Sequence, residues 1–348
     1  MEFNILNKDR QWIGVVDQYK SAIWTPRYWA AGDFEIYAEA TEENLSILQK
    51  DYYVTRPDDD MACFIQKVNI VTDEDEGKYL IVTGECLKSI LKRRIVWQQT
   101  TLRGTVEKCI RKLIDENIIS PTINSRKIPD FFMYGEKGFA ETVEMQVTGD
   151  NLFDVVSSLC QSYGYGFKVT FNDDRQFMFE LYKGEDRSYG QDVNPYVVFS
   201  PDFDNVKSVD YVSDKTDYKN VALVAGEGEG TNRKTATVGS AAGLDRYEIY
   251  VDARDISTND EEISTEDYNK LLAERGNEDL AASIVQESFE GEVEASVNYT
   301  YKEDYFLGDI IQIENEFGIK AAPRIVEIIE CMDENGYSMT PTFDSEEG

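Results

Sequence analysis

The 348-residue chain carries 67 acidic against 35 basic residues, a formal charge of −32, and no histidine. Without imidazole, Ser-His-Asp and Cys-His triads and His-ligated zinc sites are excluded; carboxylate-pair chemistry such as glycoside hydrolysis survives the filter. The acid excess leaves no basic footprint for nucleic acid and no attraction to anionic membranes.

Residues 1–102 read as a β-rich domain, with strands expected at 3–6, 12–16, 22–25, 33–38, 52–56, 63–72 and 78–85. Thr41 is placed to cap a short helix over 41–50. The acidic stretch 73–77 reads as a hairpin turn, because its spacing lacks the alternate ligands, the Gly and the final Glu of a calcium loop. The densest basic cluster, Lys88, Lys92, Arg93 and Arg94, reads as a solvated helix end or interface rim.

From 103 to 200 the pattern becomes α+β. Val106, Cys109, Ile110, Leu113 and Ile114 form the apolar stripe of an amphipathic helix over 105–118. A strand is expected at 142–148. Asn151 caps a second helix with Leu152, Val155, Val156, Leu159 and Cys160 on one face, and a hairpin at 167–171 and 176–182 closes the segment.

Residues 201–348 return to strands, at 219–225 and 246–252. Gly226, Gly228 and Gly230 alternate with Glu227 and Glu229; this is neither GxGxxG nor a P-loop, and the glutamates would repel phosphate, so a turn or bulge is expected. After an acidic loop at 255–262, Ser264-Thr265-Glu266-Asp267 matches a capping box. It opens a helical insertion near 264–287, interrupted at Gly276. The chain then closes with three short strands: one opened by Gly308-Asp309, one over 324–329, and one after the Asn335-Gly336 turn. In the second, Arg324, Val326 and Ile328 are expected to alternate with Ile325, Glu327 and Ile329 across the two faces. This meander should close a barrel or sandwich.

Five cysteines at 63, 86, 109, 160 and 331 show no CxxC spacing and read as reduced thiols. No basic leader marks a signal peptide, and no run is long enough to span a membrane. No cofactor, metal or catalytic residue is expected.

The closing motif resembles the end of the siphophage tail-tip hub family, the ReqiPepy-like siphovirus tail proteins, related in fold to the hub of contractile-phage baseplates. Phe3-Asn4-Ile5-Leu6-Asn7, Ile23-Trp24-Thr25-Pro26-Arg27-Tyr28-Trp29, Gly32-Asp33-Phe34-Glu35-Ile36-Tyr37, Arg93-Arg94-Ile95-Val96-Trp97, Gly149-Asp150-Asn151-Leu152 and Asn220 to Gly230 agree in order along nearly the whole chain. The resemblance implies a β-rich α+β multidomain fold, with two tail-tube-like β-barrels (1–102 and 201–348) bracketing the small α+β domain at 103–200. It implies a non-enzymatic hub: a homotrimeric ring that continues the tail tube at the virion tail tip, made in the host cytoplasm. Its partners would be the distal tail protein and tail tube, the tape measure protein, and a fiber or receptor-binding protein, with genomic DNA only in transit. A threefold tip meets a sixfold tube if each chain offers two equivalent barrels.

Two other readings compete. One is a tail-associated cell-wall-degrading enzyme, for which the sequence, ending at Gly348 after its last expected strand, leaves no lysin extension. The other is a carbohydrate-binding adhesin with Trp24, Tyr28, Trp29 and Trp97 as stacking aromatics. Under the hub reading these four are the candidate subunit or partner interface.

Overall fold

Alternating apolar residues set the first strands of the computed structural model, which describes residues 1–73, 77–257, 263–293 and 298–344. These strands are β1 (Phe3–Leu6), β2 (Trp12–Val16), β3 (Ser21–Thr25) and β4 (Asp33–Glu39). In β4, Phe34, Ile36 and Ala38 are buried and the residues between them half-buried. Thr41 caps α1 (Glu42–Ile47), accepting from the Asn44 N–H at 3.1 Å. The strand expected over 63–72 is two strands. After β5 (Tyr53–Thr55) come β6 (Ala62–Phe64) and β7 (Lys67–Asp73), then β8 (Gly77–Glu85). The break falls at Ile65 and Gln66, whose N–H groups turn to the Tyr52 and Thr83 carbonyls, so β6 stays on β5 while β7 crosses to β8. The middle of the acidic turn at 73–77 and the end of the acidic loop at 255–262 lie outside the described residues.

The middle segment contains β9 (Thr100–Thr105), α2 (Val106–Ile114), β10 (Phe131–Met133), β11 (Thr142–Val147), α3 (Leu152–Ser162), β12 (Gly166–Phe171) and β13 (Phe177–Tyr182). Both helices bury the stripes read from sequence. α2 widens into a π turn over Asp115–Ile119, where the Asn117 amide donates to the Leu113 carbonyl at 2.9 Å. One hydrophobic core runs from Phe3 to Leu181 and so joins this segment to the first.

Next come β14 (Val198–Phe199), β15 (Val206–Asp214), β16 (Val221–Ala225), β17 (Thr235–Val238), β18 (Glu248–Asp252), α4 (Thr265–Ala281) and β19 (Gln286–Val293). The helix stops at Ala281 rather than near 287, because 286–293 is claimed by pairing with β15. Asp214 lies opposite Gln286, so residues 215–285 leave and rejoin one hairpin as a single excursion. Its neck is tied by the Lys219 N–H to the Ser283 carbonyl at 2.8 Å. Inside it, α4 covers the sheet β17-β16-β18 with its own small core of Ala222, Val224, Val251, Tyr268, Leu271 and Leu272. Gly276 does not interrupt the helix. It lets α4 rest on the sheet, since a Cβ there would come within 2.7 Å of Val224 and 2.8 Å of Val238.

The C-terminal meander also differs from expectation. β20 (Gln312–Glu314) and β21 (Lys320–Ala321) join β14 in a separate three-stranded sheet, while β22 (Arg324–Asp333) and β23 (Gly336–Asp344) form a long hairpin around Asn335-Gly336. Gly336 takes φ +108, as that turn needs. The alternation expected in β22 fails because a bulge between Ile325 and Glu327 shifts the register; Arg324 and Ile325 are both buried. The hairpin enters an antiparallel eight-stranded sheet ordered β15-β19-β23-β22-β3-β4-β8-β7, four strands from each end of the chain. β22 meets β3 with Glu330 opposite Trp24. Among the described strands no hydrogen-bonded order closes into a barrel.

Candidate functional site

The segment 26–31, which begins inside the Trp-Thr-Pro-Arg-Tyr-Trp motif, is where the three parts of the chain meet. Tyr28 sits at its centre. Its N–H donates to the Val326 carbonyl at 2.8 Å, its hydroxyl donates to the Gly164 carbonyl at 3.1 Å, and the Gly184 N–H donates back to that hydroxyl at 3.3 Å. Gly166 and Gly308 press on its ring; a Cβ at either would collide with it. Gly308 has φ +97, so the Gly308-Asp309 motif supplies both a backbone turn and room for an aromatic ring. Arg324 completes the clasp. Its guanidinium lies 5.4 Å from the Tyr28 ring centre and donates to the Gly308 carbonyl at 2.6 Å.

Much of the charge inside this junction is met by backbone groups. Lys88 is buried on a 3-10 turn spanning Leu87–Arg93, not solvated as its basic neighbours implied. Its ammonium donates to the carbonyls of Arg27 (2.6 Å), Tyr28 (2.8 Å) and Ala30 (3.3 Å). Burial pulls it down to about 8; the Cys86 and Cys160 thiols oppose that, and the Arg27 charge adds to it. Asp309 accepts from Arg187 Nε at 2.7 Å, the Glu185 N–H at 2.7 Å and the Phe306 N–H at 3.0 Å. Asp59 accepts from Trp24 Nε1 at 3.0 Å, the Met61 N–H at 2.8 Å and Lys302 Nζ at 2.9 Å. Arg56 and Glu330, both buried, pair at 3.1 Å where β3 meets β22. Such a pair adds little net stability over an apolar one, but removing Arg56 would leave the Glu330 carboxylate buried without its counter-charge, at a cost of about 3–5 kcal/mol.

Beside the junction lies a cavity of about 530 Å³, within the range of ligand pockets. Met61, Lys168, Tyr182, Tyr301, Phe306 and Asp309 are among its walls. Lys168 pairs with Asp60 and lies 3.6 Å from Glu180, and Lys302 is held by Asp59. Burial pushes the Tyr182 and Tyr301 hydroxyls above their usual range. These charges neutralise one another in place, which suits a structural joint better than proton transfer.

The four aromatics singled out from sequence separate here. Trp24 and Tyr28 are fully buried and Trp29 nearly so, its Nε1 donating to the Tyr165 carbonyl at 2.9 Å. A ring inside the chain has no surface to give a partner or a sugar. Trp97 remains 54 % exposed, with Arg126 stacked 5.1 Å from its ring centre. Sequence reasoning missed Lys88, Arg324 and Asp309 as the charges that build the joint. Gly308-Asp309 within the family motif was the available signal. Among the described residues no group of three or more Cys, Asp or Glu is arranged to hold a metal ion, and no helix is long and apolar enough to cross a membrane.

This β-rich α+β fold is that of phage tail proteins. The tail protein from Neisseria meningitidis MC58 superposes with a TM-score of 0.58 at 13 % identity, covering 99 % of this chain and 96 % of that one. The 43 kDa tail protein of prophage MuSo2 from Shewanella oneidensis gives 0.59 at 12 %, covering 99 % and 98 %. Prophage tail protein gp18 from Listeria monocytogenes EGD-e gives 0.55 at 12 %, covering 99 % and 95 %. No curated protein sequence matches the chain. The chain belongs to the Siphovirus ReqiPepy6 Gp37-like protein family, whose profile matches residues 2–343.

Proposed function

We propose that this tail protein is the hub of the tail tip, a structural ring of three copies that continues the tail tube and anchors the distal components. The observation that carries the reading is the eight-stranded sheet. Its two four-stranded halves come from opposite ends of the chain, and its outer strands β7 and β15 each keep one edge without a partner among the described strands. Edge-to-edge pairing between neighbours is a heterologous contact, which generates a ring if the rotation closes. Three chains would then supply six four-stranded arcs, and the tube-like barrels expected from sequence would be completed only in the assembly. The distal tail protein, tail tube and tape measure protein would lie on one side and a fiber or receptor-binding protein on the other.

Three chains would gather about a hundred excess negative charges, which repel unless spread over surface or water-filled lumen. In this reading carboxylates line the bore, so that DNA slides, and Lys92, Arg93 and Arg94 lie at protein contacts outside it. No hydrolase activity belongs to the proposal; clearing of cell walls by the pure protein would contradict that part. Light scattering across a wide concentration range tests the ring. A trimer is expected, weakened by Ile70→Lys on the β7 edge. A chain that stays monomeric both in solution and within assembled tails would sink the reading.

A further inference from the structure

Two turns near the β14-β20-β21 sheet are held by side chains. In 186–196, the Gln191 side-chain carbonyl accepts from the Val193 and Asn194 N–H groups, both at 2.6 Å. Its amide donates to the carbonyls of Ser188 at 3.1 Å and Asn194 at 3.2 Å. In 315–319, Asn315 Oδ1 accepts from the N–H groups of Phe317 at 3.0 Å and Ile319 at 2.9 Å. The sheet links the turns, with Val198 beside Gln312 and Glu314 opposite Lys320. Lys320 is also within electrostatic reach of Tyr189 and Asp202.

What these turns present is apolar. Val193 is 89 % exposed and Phe317 81 %, with Ile319 and the Tyr189–Tyr196 pair exposed beside them, the two rings 5.3 Å apart. A pre-set backbone under these side chains removes much of the ordering cost of binding, and Phe317 with the Tyr189–Tyr196 pair are residue types enriched at interfaces. The rim is acidic. Asp192, Asp202 and Glu316 show no ion pair among the described residues, and Lys320 is already taken by Glu314 at 2.8 Å.

We propose that this end of the molecule docks a protein partner whose contact surface is apolar at its centre and rimmed with Lys and Arg. Charge complementarity selects that occupant over a second copy of the same face, which would set Asp192, Asp202 and Glu316 against another acidic rim. The inference stands apart from the ring, which uses the β7 and β15 edges.

Selection of yeast-displayed random peptides on the full-length protein tests it, with affinities of the enriched peptides measured by biolayer interferometry. Enriched sequences should combine aromatic or aliphatic anchors with Lys or Arg, and should bind more weakly as salt rises. Phe317→Asp and Val193→Asp should each cost about tenfold or more in affinity. Both side chains face solvent, so circular dichroism and solution mass should match the parent chain. No enrichment, enriched peptides without basic residues, or binding untouched by both substitutions overturns the proposal. Loss of self-association in the variants also overturns it, since the occupant would then be a second copy.

Discussion

The joint at 26–31 and the excursion at 215–285 both fix parts of the chain that are distant in sequence, but by different physics. The joint has no core of its own. It works by close approach, with Gly166 and Gly308 against the Tyr28 ring, and by buried charge met by backbone, as at Lys88 and Asp309. The excursion carries its own small core under α4 and touches the rest through polar contacts. Arg275, held by Asp255 of the same unit at 2.9 Å, reaches the Gln146 carbonyl at 3.3 Å, and Arg103 lies 3.4 Å from Asp267. Damage to the joint should therefore be global, and damage to the excursion local.

The sharpest way to break this contrast is Gly308→Ala. The new methyl meets the Tyr28 ring and sits on a backbone with φ +97, so overpacking and strain combine. A loss of about 3–4 kcal/mol is expected in urea unfolding, shared by every probe. Next comes Lys88→Met, which keeps the bulk but strips three carbonyls of their donor; about 3 kcal/mol is expected, again global. If either variant unfolded only its own segment, the three parts would be independent and the joint would not be one.

Much of this was legible in sequence wherever the cause is local. Thr41, Asn151 and Ser264 cap the helices they were expected to cap, the α2 stripe is buried as read, and Asn335-Gly336 turns its hairpin. Legibility ends where the cause is tertiary. A lysine in a basic run looks solvated until a loop folds its carbonyls around it, as at Lys88. Trp24 and Tyr28 look like surface aromatics until the fold packs Trp24 against Phe3 and Phe34 and closes Tyr28 between Gly166 and Gly308. The bulge that buries Arg324 beside Ile325 is a register shift, which no period-two count can show. The reach of the excursion was hidden too, because only the pairing of Asp214 with Gln286 defines its ends.

A smaller effect sharpens the local side of the comparison. Gly276→Leu places a side chain where a Cβ alone would approach Val224 and Val238. Undocking of α4 should cost about 1–3 kcal/mol. Hydrogen exchange should show lost protection in 216–281, with β3, β4 and β22 unchanged. Lost protection in those strands would show that the excursion supports the main sheet.

The smallest expected effect is a pH dependence confined to the same unit. Glu278 on α4 is raised to about 7, chiefly by burial; Arg275 opposes this, while Asp279, Glu274 and Asp150 add to it. Asp279 is raised by burial against Arg275, and Glu274 by burial and by Glu144 on β11. A carboxyl whose folded value lies above its unfolded one binds more protons folded than unfolded. Its stabilising contribution is therefore fully present below the unfolded value of 4.5 and is lost as pH rises through about 7. The free energy of opening of 216–281, taken from hydrogen exchange and corrected for intrinsic rates, should fall across that window. Glu278→Gln cannot ionise, so it should flatten most of the slope and leave the excursion more stable than the parent on the alkaline side. A slope unchanged in that variant would remove Glu278 as the titrating group and leave Glu274 and Asp279 to account for it.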